Sequence, residues 1–148
     1  MSSPTPESRN FDPVLQGHRE LHALLNAIHK ALAEKTATVA EVSDLIAQLG
    51  DRLVKHFAME EDGGYFSEAL LRAPQLVAKA NQLLAQHPKI CSQAKSLAVE
   101  LQAAPTNEGW WTKTAQVFGE FRDELLRHER QEDRLIQDAY VQDVGSHD

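Results

Sequence analysis

Apolar residues recur along most of this chain every three or four positions, the period of a helix laid against a core. The first stripe runs Val14, Leu15, His18, Leu21, His22, Leu25, Ile28, His29 and Leu32. Asp12-Pro13 just before it has the form of a helix start, an N-cap followed by proline at the first helical position. Thr36 to Thr38 is a predicted turn, and Thr38 with Glu41 has capping-box spacing for a second helix. That helix carries Val42, Leu45, Ile46, Leu49, Leu53, His56 and Glu60, and Gly63-Gly64 predicts its end. A short helical turn follows around Ser67 to Arg72. Pro74 opens a third long helix with the stripe Leu76, Ala80, Leu83, His87, Cys91, Ala94, Leu97 and Leu101. Pro88 inside it removes the bond to the carbonyl of Leu84, so a bend or local widening is expected there, with a break into two helices as the lesser alternative. After a loop from Ala104 to Gly109, the last stripe is Trp111, Ala115, Phe118, Phe121, Leu125, His128, Glu132, Leu135 and Ala139.

Four long amphipathic segments with short connections predict an all-α fold, an antiparallel up-down-up-down four-helix bundle. No segment has the alternation of a strand. Residues 1–10, rich in Ser, Pro and Glu, read as a disordered tail. The bundle is expected over residues 11–142, with a frayed tail over 143–148.

The stripes are interrupted at particular places. His18, His56, His87 and His128 each occupy a position that calls for a core residue, one per long helix. Glu60 and Glu132 follow His56 and His128 by four residues, which sets each pair on one face, about 40° apart in azimuth and roughly 6 Å apart along the axis. A buried carboxylate needs a strong partner. For a single histidine on an apolar face, ordinary packing is the commoner explanation. The set as a whole would also have to bury two unpaired carboxylates, which are rare inside proteins. Four imidazoles and two carboxylates have one economical joint partner, a two-metal centre bridged by the carboxylates. The mixed N/O set suits iron, and also manganese or zinc. It falls short of twelve donors for two octahedral ions, which leaves positions for solvent or a small ligand. The other diiron bundle design, Glu-x-x-His, does not fit, because Leu15, Leu53, Leu84 and Leu125 stand three residues before the histidines.

Composition narrows the reading. The 148 residues suit a single domain with a sizeable core, and no run approaches the length of a membrane span. A net charge of −7 with dispersed Lys and Arg argues against nucleic acid as a partner. The N-terminal MSSPTPESRN lacks a signal pattern and Cys91 is alone, so a cytoplasmic protein is expected.

The segments GHREL around His18, KHFAMEEDGGYF around His56, QHPKI at His87 and RHERQED at His128, in this order and one per helix, resemble those of hemerythrin-like, or HHE cation-binding, domains over about residues 11 to 140. The resemblance implies a non-haem centre of two iron ions (Fe2+/Fe3+) with a bridging oxo or hydroxo group. It implies that His18, His56, His87 and His128 are terminal ligands and that Glu60 and Glu132 bridge. Proteins of this kind bind dioxygen, or serve in sensing oxygen, nitric oxide or iron, or in iron–sulfur repair. Two departures matter. Oxygen carriers have a second histidine four residues along helix three, where this chain has Cys91. Either one iron loses a ligand and gains a solvent position, or Cys91 binds as thiolate; the first is favoured because a lone buried cysteine commonly acts as a small hydrophobe. The carriers also place the helix-four carboxylate five residues after its histidine, here Asp133, which would lie about 140° from His128. Glu132 lies on the stripe and is preferred, as is Glu60 over Glu61.

His22 is a candidate for supporting or replacing a ligand, while His29 and the tail residue His147 are not. Tyr65 is a possible hydrogen-bond donor near the site, though packing explains it as well. Trp110 and Trp111 read as a plug at the end of the bundle, and the remaining charges of the Glu60–Asp62 and Glu129–Asp133 runs as solvated faces. The expected function is binding of O2 or NO for sensing, storage or redox protection, with any signalling passed through a protein partner. The alternatives are a diiron redox enzyme or iron–sulfur repair protein acting on O2, peroxide or NO and, more remotely, a structural bundle that takes zinc.

Overall fold

The computed structural model describes residues 6–62 and 64–146, with side chains for 14–62, 64 and 66–141. Among these there are helices and turns and no strand. The helices are α1 (Pro6–Glu34), α2 (Val39–Asp62), the short α3 (Tyr65–Arg72), α4 (Val77–Ala103) and α5 (Glu108–Ser146), with a 3-10 turn at Pro74–Leu76 before α4. Each long helix packs on two others, α1 on α2, α2 on α4, α4 on α5 and α5 on α1, and α3 packs across α5 at one end. His18 and His56, on either side of the short α1–α2 turn, meet with ring centroids 4.5 Å apart. His87 and His128, on either side of the α4–α5 loop, meet at 5.0 Å. Such pairings arise when the second helix folds back along the first.

The ends of the elements follow local chemistry. The Glu41 amide donates to Thr38 Oγ1 at 3.1 Å, which caps α2. The Trp110 amide donates to Asn107 Oδ1 at 3.1 Å, so α5 starts at Glu108, ahead of the Trp111 expected from its stripe. The buried Trp110 closes that end of the bundle, its indole N–H donating to the Leu101 carbonyl at 3.1 Å. Gly64 has a φ of 86°, a left-handed conformation that costs glycine little.

Three expectations shift. The helix expected from Asp12 already runs from Pro6, because a proline there suits a first turn equally well; residues 6–10 of the expected tail are therefore helical, and residues 1–5 lie outside the described residues. At the other end α5 continues through Ser146, beyond the fraying expected from Gln142, while His147 lies outside the described residues. Pro88 does not break its helix, since α4 is continuous from Val77 to Ala103. One backbone bond is lost there, but the buried His87 and Ile90 on either side keep the flanking turns on the core.

Among the described residues the core has two main apolar parts and a small third one of Ala69, Ala73 and Ala139 beside the second. The larger joins Leu21, Leu25, Ile28, Ile46, Leu49, Leu53, Ile90, Leu97, Phe118 and Leu125. The smaller joins Val14, Phe66, Ala80, Leu83 and Leu135. On α1, α4 and α5 the sequence passes from one part to the other through a histidine: Val14–His18–Leu21, Leu83–His87–Ile90 and Leu125–His128–Leu135. On α2 the passage is Leu53–His56–Glu60, and Phe66 of α3 supplies the far side. A single polar layer is thus sealed between two dry ones. Among the described residues, no helix is long and apolar enough to cross a membrane.

Candidate metal centre

The fold brings His18, His56, Glu60, His87, His128 and Glu132 into that one layer. Glu60 and Glu132 are each 0% exposed, while their acidic neighbours Glu61 and Asp133 face solvent. Glu60 reaches across the layer: Oε1 lies 3.3 Å from His18 Nε2 and 2.8 Å from His56 Nε2, and Oε2 lies 3.2 Å from His87 Nε2. Glu132 Oε2 lies 2.9 Å from His87 Nε2 and 3.0 Å from His128 Nε2. Three groups of donor atoms fall within 4.8 Å of one another: His18, His56 and Glu129; His87, His128 and Glu132; and His18, Glu60 and Glu132.

Several of these close contacts are not hydrogen bonds. His56 Nδ1 and Nε2, His128 Nε2, Glu60 Oε2 and Glu132 Oε1 are buried without a hydrogen-bond partner, although His56 Nε2 and His128 Nε2 each lie within 3.0 Å of a carboxylate oxygen. Nitrogen and carboxylate donors that converge without hydrogen-bond geometry are arranged for a cation. Two donors about 2.1 Å from one ion and at right angles lie about 3.0 Å apart, close to the spacings found. The residues therefore fit a metal.

The electrostatics agree. Burial pushes the Glu60 carboxyl up, but the His18 hydrogen bond and the close approach of the His56 and His87 imidazoles outweigh it and hold the group well below the usual carboxylate range. Glu132 moves the other way, raised by burial and by the neighbouring Glu60 despite contacts with His128 and His87. Such divergence is expected of two carboxylates confined together, and a cation between them relieves it. Burial lowers the proton affinity of His18, yet the Glu60 hydrogen bond and the charges of Glu129, Glu60 and Asp133 leave it raised. For His87, the Glu132 hydrogen bond and the neighbouring Glu60 carboxylate override burial and push the group up to about 9. A metal must displace that proton. Apparent affinity is therefore expected to rise with pH between about 6 and 9, by up to tenfold per unit for each proton displaced. Anaerobic metal titrations at pH 6, 7 and 8 check this, and a flat response would remove His87 from the ligand set.

Neighbouring residues hold the donors in place. Gln86 Oε1 accepts from His128 Nδ1 at 2.8 Å, which assigns the proton to Nδ1 and leaves the Nε2 lone pair towards Glu132. Phe57 stacks on His87 with centroids 3.8 Å apart and planes 3° from parallel, and meets His128 edge-on at 5.6 Å. Neither Gln86 nor Phe57 was expected from the sequence, since both sit beside candidate ligands, His87 and His56, with nothing in the pattern to mark them.

Glu129 corrects an expectation. Its segment was read as a solvated face, but it is 4% exposed, because α1 packs over it and His22 Nε2 lies 2.6 Å from its Oε2. His22 thus serves as a support. His29 is exposed. Cys91 belongs to none of the donor groups among the described residues; it packs beside the larger apolar part, and burial pushes its thiol up. The Tyr65 side chain lies outside the described residues.

Between α1 and α5 a cavity of about 670 Å³ reaches the layer at His18 and Glu129, with His22, Arg122 and Asp133 on its walls. A family model, the hemerythrin HHE cation binding domain, matches residues 11–140. No curated protein and no solved structure matches the chain.

Proposed function

The chain belongs to the hemerythrin HHE cation-binding family, and from that premise we propose that it is a non-haem diiron protein that binds a small diatomic ligand, O2 or NO, for sensing, storage or redox protection. The observation that carries this reading is the layer of four imidazoles and two fully buried carboxylates, several of whose converging donor atoms have no hydrogen-bond partner. His18, His56, His87 and His128 would serve as terminal donors, with Glu60 and Glu132 as bridges. Glu60 is suited to bridging because its two oxygens address different histidines. When bound, two irons would supply a reversible Fe2+/Fe3+ couple and coordination positions the protein leaves free.

The chain's own residues set the conditions. The apolar parts above and below keep bulk water from the layer, which strengthens every charge interaction within it. Gln86 fixes the His128 imidazole, and Phe57 walls both it and His87. The cavity between α1 and α5 offers a small molecule an approach to the His18 side.

Anaerobic reconstitution with ferrous iron is expected to load about two irons per chain. Exposure to air or nitric oxide is then expected to produce ligand-to-metal charge-transfer bands in the near-ultraviolet and visible. Reversal on degassing supports carriage or sensing, while irreversible oxidation with turnover of peroxide or nitric oxide would assign the chain to redox enzymes instead. Fewer than about one metal per chain would overturn the diiron reading.

A further inference from the structure

We infer that Glu129 is a further metal-binding residue, held in place by His22, and that it makes the two cation positions unequal. The inference rests on the diiron reading. Glu129 follows His128 directly in sequence, so on a regular helix it points about 100° away from it. It nevertheless reaches the layer, at the opposite end. Its carboxylate forms a donor group with His18 and His56, with all donor atoms within 4.8 Å. One of its oxygens, Oε1, is buried with no hydrogen-bond partner, while Oε2 is tied to His22 Nε2 at 2.6 Å. The His22 side chain is half exposed, against 5% for Glu129. A carboxylate accepts and does not donate, so His22 gives its Nε2 proton to one oxygen and leaves the other oxygen free to bind. This is how a surface residue commonly orients a buried ligand.

The donor count then separates the ends. Glu60 touches His18 and His56 through one oxygen and His87 through the other. Glu132 touches His87 and His128, and also forms a donor group with His18 and Glu60. Both carboxylates can therefore serve both ends. The His18/His56 end has five protein donors, namely His18, His56, Glu129, Glu60 and Glu132. The His87/His128 end has four, namely His87, His128, Glu60 and Glu132, since Cys91 stays outside. The end with fewer protein donors is where an exogenous ligand binds. The large cavity meets the layer at the better-filled end, so it delivers a small molecule to the layer and not directly to its binding position.

The test is anaerobic ferrous iron titration of the full chain, with Mössbauer spectra of the loaded protein, for wild type, Glu129→Gln and His22→Ala. Wild type is expected to take up two irons in inequivalent environments. Glu129→Gln, which keeps volume and an acceptor for His22 but removes the charge, is expected to weaken one iron by about tenfold or more and to change one of the two signals. His22→Ala is expected to change the same signal with a smaller loss of affinity. Unchanged affinity and unchanged signals in Glu129→Gln would overturn the inference and leave Glu129 as a partner of His22 alone. Should Glu129→Gln fail to fold, His22→Ala decides: one altered signal supports the assignment, and two unaltered signals overturn it. A wild-type chain that takes up less than one iron would defeat the diiron reading itself, a result distinct from either.

Discussion

Replacing Glu60 by alanine is expected to abolish tight binding of both cations, with iron content falling from about two per chain to well under one. Glu60 approaches three of the four histidines, at 3.3, 2.8 and 3.2 Å for His18, His56 and His87. Its removal takes a donor from each end of the layer and the negative charge that links them. The remaining buried carboxylates cannot fill its place at both ends: Glu129 reaches only the His18/His56 group, and Glu132 alone would be left to link the two. Glu132 already faces His87 and His128, and its position is fixed by the rigid spacing along α5. The loss should also show in stability. A ligand that binds only the folded chain stabilises it by about 2.7 kcal/mol at a hundred times its dissociation constant. Wild type should therefore melt higher with iron than without, and the variant should not. Glu61→Ala is the control, because Glu61 is exposed and 3.7 Å from His87 Nδ1; it should keep both irons. Metal analysis and paired melting curves check both variants. Two irons retained in Glu60→Ala would remove Glu60 from the ligand set, and circular dichroism would separate loss of metal from loss of fold.

The parts of this layer that were legible in the sequence share one property: each can be read along a single helix. His56 with Glu60 and His128 with Glu132 stand out because a four-residue spacing keeps both members on a stripe that is otherwise apolar. The stripes also gave the four long helices and the turn between α1 and α2. What escaped notice depends on the neighbouring helix. Glu129 lies off the stripe of α5 and is buried only because α1 covers it and places His22 against it. Gln86 lies beside its own stripe and matters because His128 of α5 faces it. Phe57 lies off the helix-two stripe, and its stacking on His87 requires the packing of α2 on α4. Pro88 allowed two outcomes, and the break is the one excluded: one lost bond does not outweigh the burial of His87 and Ile90 on either side.

Gly17→Ala is expected to displace His56 and cost the chain the metal at the His18/His56 end. Helix propensity predicts the reverse, because alanine inside a helix is about 1 kcal/mol better than glycine. Packing decides the sign. A Cβ at Gly17 would stand 2.6 Å from His56 Nδ1 and 3.3 Å from its Cε1, closer than unbonded atoms approach. The obstacle is a ring and not the free end of a flexible chain. His56 is buried, with the His18 ring 4.5 Å away on one side and Phe57 5.9 Å away on another. Relief must come from turning His56 out of the layer or pushing α1 away from α2. Overpacking of this kind costs about 1–3 kcal/mol, more than the helix gains, and either movement misplaces donors whose useful range is a few tenths of an ångström. The glycine before His18 is therefore what allows α1 to approach close enough to bring the two imidazoles together in one layer. Gly119→Ala separates this effect from propensity: a Cβ there meets nothing within 4 Å, so that variant should gain up to about 1 kcal/mol and keep its metal. Iron content and melting temperature measured on the two variants together give the answer. A Gly17→Ala chain that gains stability as Gly119→Ala does, with both irons bound at wild-type affinity, would show that the two helices have room to part without disturbing the layer.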